Sequence, residues 1–398
     1  MSASDLGKRA WLPALTASAA LALAGATAGC GAPTAAASHR TATPAVRLAA
    51  GHRRLDSGRR TAGQPRYFAD IVRVSGSVAG AGPVQIRSSA TGALVPRQPS
   101  IDALGIAAYG GGSRLVLARQ VGDGCTSRLY RATLSADGRL GRLARLGPVI
   151  RGLVTSVAAD SGASLIGYFA GPCSKSASGY LAVLAARTGH VRRWTGVAVY
   201  GSGGTLSTGN ALSESANGRL LAFGGAVTGA GGRVTGQRIW VLRTSAAAGS
   251  IARRVRAVIS KPATGPALSA AVLNPDGRSF YLCTVSTVGT VSAHKTVKQT
   301  VVITARRTSD GTSTGTVAKL TATGVTFLGQ GFGCPLAMTP NGRYLLAPYR
   351  LHYGHSTTVP PLVSTAVIGT SSHARRSISL RLPGSAGMSV ADGIAVAW

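Results

Sequence analysis

The feature that most constrains this chain is a recurring pair of short apolar runs joined by a polar turn that contains glycine. The clearest copies are AVLNPDGRSFYLCTV (residues 271–285), LAMTPNGRYLLAPYR (336–350) and ALSESANGRLLAFGG (211–225). Weaker copies lie at residues 156–171, 105–120 and 388–398. Asp-Gly and Asn-Gly between apolar runs favour a β-hairpin, because both turn residues tolerate positive φ. The turns recur every ~50–65 residues, a period that suits a repeated four-stranded sheet.

A second hairpin follows each of the first five copies, so strands A and B are followed by strands C and D. Residues 85–98 form a second hairpin with no first one before it, and residues 388–398 form a first hairpin with no second one after it. The two ends therefore complete a sixth unit together, and this closure removes exposed sheet edges. The sequence predicts an all-β fold, a β-propeller of six four-stranded blades closed by pairing of the N- and C-terminal strands. A seventh blade would need a missed repeat within residues 209–236.

Two motifs carry a family resemblance. NPDGRSFYL and TPNGRYLLA resemble the SPDG-(R/K)-x-L turns of WD40-like and TolB-type β-propellers, and ARTGHVRRW resembles the D-x-x-TG-x-V hairpins of the same proteins. The likeness covers residues 66–398 and lacks the Gly-His and Trp-Asp pairs of true WD40 repeats. It implies the fold and not the function, because propellers serve as binding modules, hydrolases, lyases and dehydrogenases.

The N-terminal segment is typical of an export signal. Residues 1–29 combine a basic start (Lys8, Arg9) with an Ala/Leu-rich run, and Thr27-Ala28-Gly29-Cys30 resembles a bacterial lipobox in which Thr27 replaces the usual aliphatic residue. This predicts a diacylated Cys30 at the extracytoplasmic face of the cell membrane, with ordinary secretion as the alternative. Residues 30–65 are small, polar and basic without an apolar period, which predicts a flexible tether before the propeller domain at 66–398.

The charge balance indicates the class of partner. The chain carries 43 Lys and Arg against 11 Asp and Glu, a formal net charge of +32. Such a field attracts anionic surfaces and polymers. An exported protein meets wall polymers and acidic lipids rather than nucleic acid, so we expect the partner to be a protein or an anionic envelope component. We further expect a monomer that needs no cofactor.

Arginines are concentrated in the outermost hairpins, on or beside strand D. They are Arg139, Arg142, Arg145, Arg192, Arg193, Arg253, Arg254, Arg256, Arg306, Arg307, Arg375, Arg376 and Arg381. One interpretation is a basic circumference that binds polyanions. The other is protection of the blade edges, because charges on an edge strand block sheet-to-sheet pairing.

Four cysteines remain after Cys30, and export permits disulfides. In the propeller alignment Cys125 and Cys173 lie in the B–C loops of the neighbouring blades 2 and 3. Cys283 and Cys334 also lie on neighbouring blades, at the same height along the strands. This predicts the disulfides Cys125–Cys173 and Cys283–Cys334. Free buried thiols are the alternative, and without CxxC spacing a metal site is not expected.

The candidate binding residues lie in loops on the face that carries the B–C and D–A connections, where most propellers bind their ligands. The richest loop holds Arg350, His352, Tyr353 and His355, and further positive charge comes from His294, Lys295, Lys298 and Arg233. The His-x-x-His pair lacks the carboxylate that would complete a metal shell. An aromatic and cationic recognition loop and an ordinary solvated loop both remain open.

Catalytic motifs are weak. Residues 311–315 (GTSTG) match the G-x-S-x-G nucleophile elbow, but they fall in a predicted hairpin, whereas that motif needs a strand-to-helix turn. Glu214 and Asn210 weakly resemble the acidic and amide side chains that hold calcium in the channel of lactonase-like propellers. Alternatively, Glu214 faces solvent. The sequence thus favours a non-catalytic, lipid-anchored binding or scaffolding propeller. The alternative is a hydrolase or lyase with its site in the channel.

Overall fold

A computed structural model describes residues 64–73, 81–122, 125–171, 179–195, 212–228, 234–251, 255, 257–262, 264, 266–288, 296–325, 334, 336–352, 362–381 and 393–398. These residues form six antiparallel sheets of four main strands each, and one sheet gains a short fifth strand at its edge. The six sheets are the blades of a β-propeller, which confirms the predicted fold and blade number.

The first three blades occupy the N-terminal half of the domain. Blade 1 takes Tyr67–Arg73 (β1), Gly82–Ser88 (β2) and Asp102–Ala103 (β3); blade 2 takes Gly105–Tyr109 (β4), Arg114–Gln120 (β5), Thr126–Thr133 (β6) and Ala144–Arg151 (β7); blade 3 takes Leu153–Ala159 (β8), Leu165–Gly171 (β9), Tyr180–Ala185 (β10) and Val191–Thr195 (β11).

The other three blades follow in chain order. Blade 4 takes Ser213–Glu214 (β12), Leu220–Thr228 (β13), Val234–Arg243 (β14) and Ala257–Pro262 (β16), and Gly249–Ser250 (β15) pairs with the edge of blade 3; blade 5 takes Ala267–Leu273 (β17), Ser279–Val288 (β18), Thr296–Arg307 (β19) and Ser313–Val325 (β20); blade 6 takes Ala337–Met338 (β21), Tyr344–His352 (β22), Leu362–Gly369 (β23) and Arg375–Arg381 (β24); Gly393–Ala397 (β25) returns to blade 1.

The ring closes through blade 1. Strand β25 pairs antiparallel with β1, with Ala69 opposite Ala397 and Arg73 opposite Gly393. The sequence predicted an A–B hairpin for this blade from residues 388–398. In the structure the C-terminal segment supplies only strand A, and the unpredicted strand β1 supplies strand B. Residues 382–392 lie outside the described part. The A strands of all six blades contact one another in a closed cycle, β25 to β4, β8, β12, β17, β21 and back to β25.

The hydrophobic core is divided among the blade interfaces. Within the described residues there are six apolar clusters, and each joins two neighbouring blades. The cluster between blades 3 and 4, for example, contains Phe169, Trp194, Phe223 and Leu242, all at most 3% exposed. Each sheet is therefore apolar on both faces, and a blade buries its two faces only when both neighbours are present.

The A–B turns of successive blades touch one another. The turn glycines Gly277 and Gly342 both have φ of +72°, a conformation that disfavours a side chain. A Cβ on Gly342 would lie 2.6 Å from Asn274 Oδ1, and one on Gly277 would lie 3.2 Å from Leu220 Cδ1. Glycine is therefore needed here both for backbone conformation and for the close approach of the neighbouring turn.

A buried ion pair lies within blade 1, and its arginine also bonds to blade 6. Arg87 Nε donates to Asp70 Oδ1 and Oδ2 at 3.1 and 3.0 Å, and neither side chain is more than 1% exposed. Arg87 also donates to the carbonyl oxygens of Gly92 at 3.2 Å and of Arg381, on β24, at 2.9 Å. Burial raises the pKa of Asp70 to about 6 in spite of the adjacent guanidinium.

A disulfide lies within the cluster between blades 5 and 6. It joins Cys283, on β18, to Cys334, and both are fully buried. These are the two cysteines that the sequence analysis paired. Cys125 is also disulfide-bonded, and its predicted partner Cys173 lies outside the described residues.

We expect Gly342→Ala to destabilise the protein more than Gly111→Ala. Both glycines have positive φ, but a Cβ on Gly111 meets nothing within 4 Å. The left-handed conformation alone costs an alanine about 1–2 kcal/mol, and overpacking adds about 1–3 kcal/mol at Gly342. Urea unfolding of both variants measures the difference. Equal losses would show that the contact between turns contributes nothing.

We also expect Asp70→Leu and Arg87→Met each to lower the free energy of unfolding by about 3–5 kcal/mol, because each leaves one buried charge or its hydrogen-bonding groups unpaired. The double variant should recover part of this loss, since both ions are then removed. A double-mutant cycle in urea measures the coupling. Additive losses would contradict a coupled pair.

Candidate functional site

The A strands surround an axial cavity of about 140 Å³. Its wall is built mainly from small apolar side chains of these strands. They include Ala107, Val157, Ala158, Val272, Ala337 and Val396. The A–B turns, at residues such as Ser161, Ala216, Pro275 and Pro340, also contribute to the lining. The cavity thus extends to the face of the ring that carries these turns.

Backbone hydrogen bonds link these turns around the cavity. The N–H of Gly110 donates to the carbonyl oxygen of Ser161, and the N–H of Ser161 donates to the carbonyl oxygen of Ala216. The N–H of Ala216 in turn donates to the carbonyl oxygen of Pro275, and each of the three bonds is 3.0 Å long. These residues occupy equivalent positions in blades 2 to 5. The series stops at Pro275, because proline has no N–H to donate. The turn face is therefore cross-linked by backbone over four successive blades.

Glu214 is the most unusual polar group of the cavity wall. The side chain is buried, which corrects the alternative that it faces solvent. Its Oε2 accepts the backbone N–H of Gly167, on β9, at 3.3 Å, whereas its Oε1 has no hydrogen-bond partner. Burial, and to a lesser degree the charge of Asp160, raises the pKa of Glu214 well above its ordinary value. Asn210 lies outside the described residues.

The second cavity acid has a structural role. Asp160 directly follows strand β8. Its Oδ1 accepts the backbone N–H of Ser164 at 2.7 Å, and its Oδ2 accepts a hydrogen bond from the Ser164 hydroxyl. These bonds fix the A–B turn of blade 3. Glu214 is thus the carboxyl of this wall with an unused oxygen, and a carboxyl that keeps its proton is able to act as a proton donor. Within the described part of the chain, no group of three His, Cys, Asp or Glu side chains is arranged to hold a metal ion.

The structure changes the setting of three predicted binding residues. Arg350 and His352 are not in a loop: they end strand β22, opposite Ser364 and Leu362 of β23. Lys298 is likewise in strand β19, opposite Val288 and Thr323, with an exposed side chain. The strands of blades 5 and 6 are longer than the predicted hairpins. In blade 5 the β-branched residues Thr287, Val288, Thr296 and Val297 favour this continuation of the ladder. Arg233, His294, Lys295, Tyr353 and His355 lie outside the described residues.

Several rim arginines bind backbone carbonyls of neighbouring blades. Arg376 is buried, and its Nη2 donates to the carbonyl oxygen of Ser89 at 2.8 Å, between blades 6 and 1. Arg375 Nη1 donates to Lys319 of blade 5 at 3.1 Å, and Arg192 Nη1 donates to Thr244 of blade 4. Neither sequence interpretation included this role. These guanidiniums connect blades, and their carbonyl partners come from other repeats, so no local pattern shows them.

A threonine clamp on the turn face was also missed. The hydroxyls of Thr244, Thr308 and Thr370 donate to the carbonyl oxygens of Gly218, Gly277 and Gly342 at 2.6, 2.9 and 2.8 Å. Each clamp ties the C–D turn of a blade to its own A–B turn. The signal was present in the sequence, because each threonine precedes a serine at the end of the C strand, within RTS or GTS.

The false nucleophile elbow is confirmed as a hairpin. Residues 311–315 form the end of the C–D turn of blade 5 and the start of β20. The described part of the chain contains no helix that is long and apolar enough to cross a membrane.

Comparison with known proteins finds similar chains among solved structures. No protein-family model and no curated protein sequence matches the chain. Among solved structures, TolB from Acinetobacter baumannii is similar with a TM-score of 0.47 and 13% identity, covering 83% of this chain and 66% of TolB. The chain thus spans slightly less than two thirds of TolB.

Two further solved structures match this chain over almost their whole length. A putative 6-phosphogluconolactonase from Bacteroides uniformis has a TM-score of 0.41 at 14% identity, over 83% of this chain and 100% of that one. The periplasmic gluconolactonase of Pseudomonas aeruginosa has a TM-score of 0.39 at 12% identity, over 80% and 98%. At such identities the likeness concerns the fold alone.

We expect Glu214 to make stability fall as pH rises. Above the ordinary pKa of glutamate the unfolded chain releases this proton, whereas the folded chain retains it up to the raised pKa, so the free energy of unfolding falls by about 1.4 kcal/mol per pH unit across that interval. Below the interval both states hold the proton and the penalty vanishes. Glu214→Gln has no proton to lose.

Urea unfolding of the wild type and Glu214→Gln between about pH 5 and pH 8 tests this expectation, with exposed Asp102→Asn as the control. The wild-type curve should fall relative to that of Glu214→Gln. Parallel curves would show that the folded protein ionises Glu214 as readily as the unfolded chain does.

Proposed function

We propose that this protein is a non-catalytic binding propeller that captures an anionic component of the cell envelope. Held by lipid on Cys30 at the outer face of the membrane, it would present a rigid ring beyond its tether. The observation that carries the proposal is the charge of its surface. Among the described residues, twenty Arg and Lys side chains are exposed against four exposed Asp side chains, at Asp102, Asp137, Asp276 and Asp310.

Few of these charges are neutralised within the described structure. Its only two ion pairs are the buried Asp70–Arg87 pair and the exposed Asp137–Arg139 pair. An unpaired basic surface attracts anions over long range and speeds their association. Binding is thereby favoured over scaffolding by apolar contact, because large exposed hydrophobics among the described residues are restricted to Leu94, Val149 and Val288.

The enzyme alternative has less support. Its best residue is Glu214, but the free Oε1 of that side chain is enclosed by protein and Asp160 is committed to its turn. A hydrolase or lyase in the axial cavity would need Glu214 to reach a substrate, so Glu214→Gln would abolish any turnover. A binding propeller keeps its ligand affinity in the same variant.

Binding of the purified full chain to anionic polymers and to anionic vesicles, across a salt series, tests the proposal. We expect binding to at least one anionic probe to persist at ~150 mM salt, where exposed charges more than ~8 Å apart are largely screened. A neutral polysaccharide and neutral vesicles are the controls. Binding that disappears at this salt concentration for every probe would overturn the proposal and direct the search to protein partners.

A further inference from the structure

We infer that the A–B turns of blades 4, 5 and 6 form the docking surface of the protein, and that its ligand is a linear phosphodiester polymer. The inference rests on the proposed function and assigns it a surface and a ligand chemistry. The surface is the arginine row, defined as Arg219, Arg278 and Arg343. Each residue directly follows a turn glycine, in Asn-Gly-Arg, Asp-Gly-Arg and Asn-Gly-Arg, and each is exposed.

The three positions are contiguous. The turn of blade 6 contacts Asn274 and Pro275 in the turn of blade 5, and the turn of blade 5 contacts Ser215 and Leu220 beside the turn of blade 4. The arginine row therefore runs along one arc of the turn face, one arginine per blade, with a repeat set by the propeller itself. A ligand with anions at regular intervals matches this arrangement better than a single anion does.

The backbone beneath the arginine row is held in place. The N–H groups of Thr244, Thr308 and Thr370 donate to the carbonyl oxygens of Arg219, Arg278 and Arg343 at 2.9, 3.1 and 2.9 Å. The threonine hydroxyls fix the preceding glycines. Only side-chain freedom remains to be lost on binding, which lowers the entropic cost of ordering the surface.

The guanidiniums of the arginine row have no hydrogen bond or ion pair to the described residues. Rim arginines differ in this respect, because Arg192, Arg375 and Arg376 donate to backbone carbonyls. Exposed Arg243 and Arg307 end the C strands of blades 4 and 5, opposite Leu220 and Ser279 at the start of the B strands, and add charge to the same arc.

Two acids lie on this arc, and each accepts a backbone hydrogen bond within its own turn. Asp276 Oδ1 accepts the backbone N–H of Arg278 at 2.9 Å, and Asp310 Oδ1 accepts that of Thr312 at 2.8 Å. The backbone N–H and side-chain hydroxyl of Thr312 hold the pKa of Asp310 below its ordinary value. The arc retains an excess of arginine over acid.

The chemistry favours phosphate. A planar guanidinium donates two parallel N–H bonds to a phosphate, a geometry that lysine does not offer. A membrane surface fits less well, because an interfacial site inserts apolar side chains, and none of the large exposed hydrophobics among the described residues lies on these turns. A phosphodiester chain laid along the arc would meet one arginine per blade.

The test compares two triple variants of the full chain that remove equal charge. Arg219→Gln/Arg278→Gln/Arg343→Gln removes the arginine row, and Arg131→Gln/Arg142→Gln/Arg145→Gln removes three exposed arginines of blade 2. The probes are poly(glycerol phosphate) and phosphatidylglycerol vesicles at equal phosphate concentration. At ~150 mM salt we expect the first variant to weaken polymer binding by about tenfold or more and the control variant by less than about threefold. A triple Arg→Lys version of the row should fall between the first variant and the wild type.

The outcomes separate the inference from the proposed function. Equal weakening in both triple variants would show that total charge, and not this surface, drives binding, and would overturn the inference. Unchanged binding in the row variant would place the site elsewhere and leave the proposed function standing. Tighter binding to the vesicles than to the polymer would identify the membrane surface, and not the polymer, as the ligand, and would overturn the inference. A wild-type chain that binds no anionic probe would overturn the proposed function itself. Thermal melting verifies that each variant is folded.

Discussion

Burial of apolar surface between neighbouring sheets is the interaction on which the rest of this structure depends. Each blade is apolar on both faces, so the six clusters of the described core lie between blades and not within them. A blade buries both of its apolar faces only when the ring is complete, which explains why β25 returns to pair with β1. The same constraint sets side-chain size. Sheets converge towards the axis, where the A strands carry Ala and Val, and they diverge at the rim, where blade 3 buries Trp194.

Ring closure also determines which polar groups are buried. The Asp70–Arg87 pair and Arg376 lie at the closing interface, and their carbonyl partners Arg381 and Ser89 lie 294 and 287 residues away in the chain. A buried ion pair adds little net stability over an apolar core, but it penalises every arrangement that leaves one ion unpaired. The pair itself lies within blade 1, between β1 and β2. The bonds from Arg87 to Arg381 and from Arg376 to Ser89 cross between blades 1 and 6, and they favour one arrangement of these two blades over the alternatives. The interface that local hairpin signals specify least is thus the one with the most specific polar contacts.

Sequence reasoning recovered what local chemistry determines. The Asp-Gly and Asn-Gly turns, the hairpin order and the blade number follow from patterns within about 15 residues, and the structure has its turns at the predicted positions in blades 2 to 6. It missed strand β1, the burial of Glu214 and the strand setting of Arg350 and His352. Burial of an isolated charged residue depends on a partner blade, and the end of a strand depends on how far its neighbour continues. Neither the burial of such a residue nor the length of a strand is determined by a short stretch of sequence.

Rigidity links the fold to the inferred binding surface. A turn that must contain glycine, for conformation and for contact with the next blade, leaves the following position free to point outwards. The threonine clamp then holds that position by its carbonyl oxygen. Arginine at such a site costs the fold little, because its backbone is already ordered and its side chain is exposed. Repetition of the turn repeats the charge at a fixed interval. The elements that build a propeller from hairpins are therefore the same elements that space cations along its face.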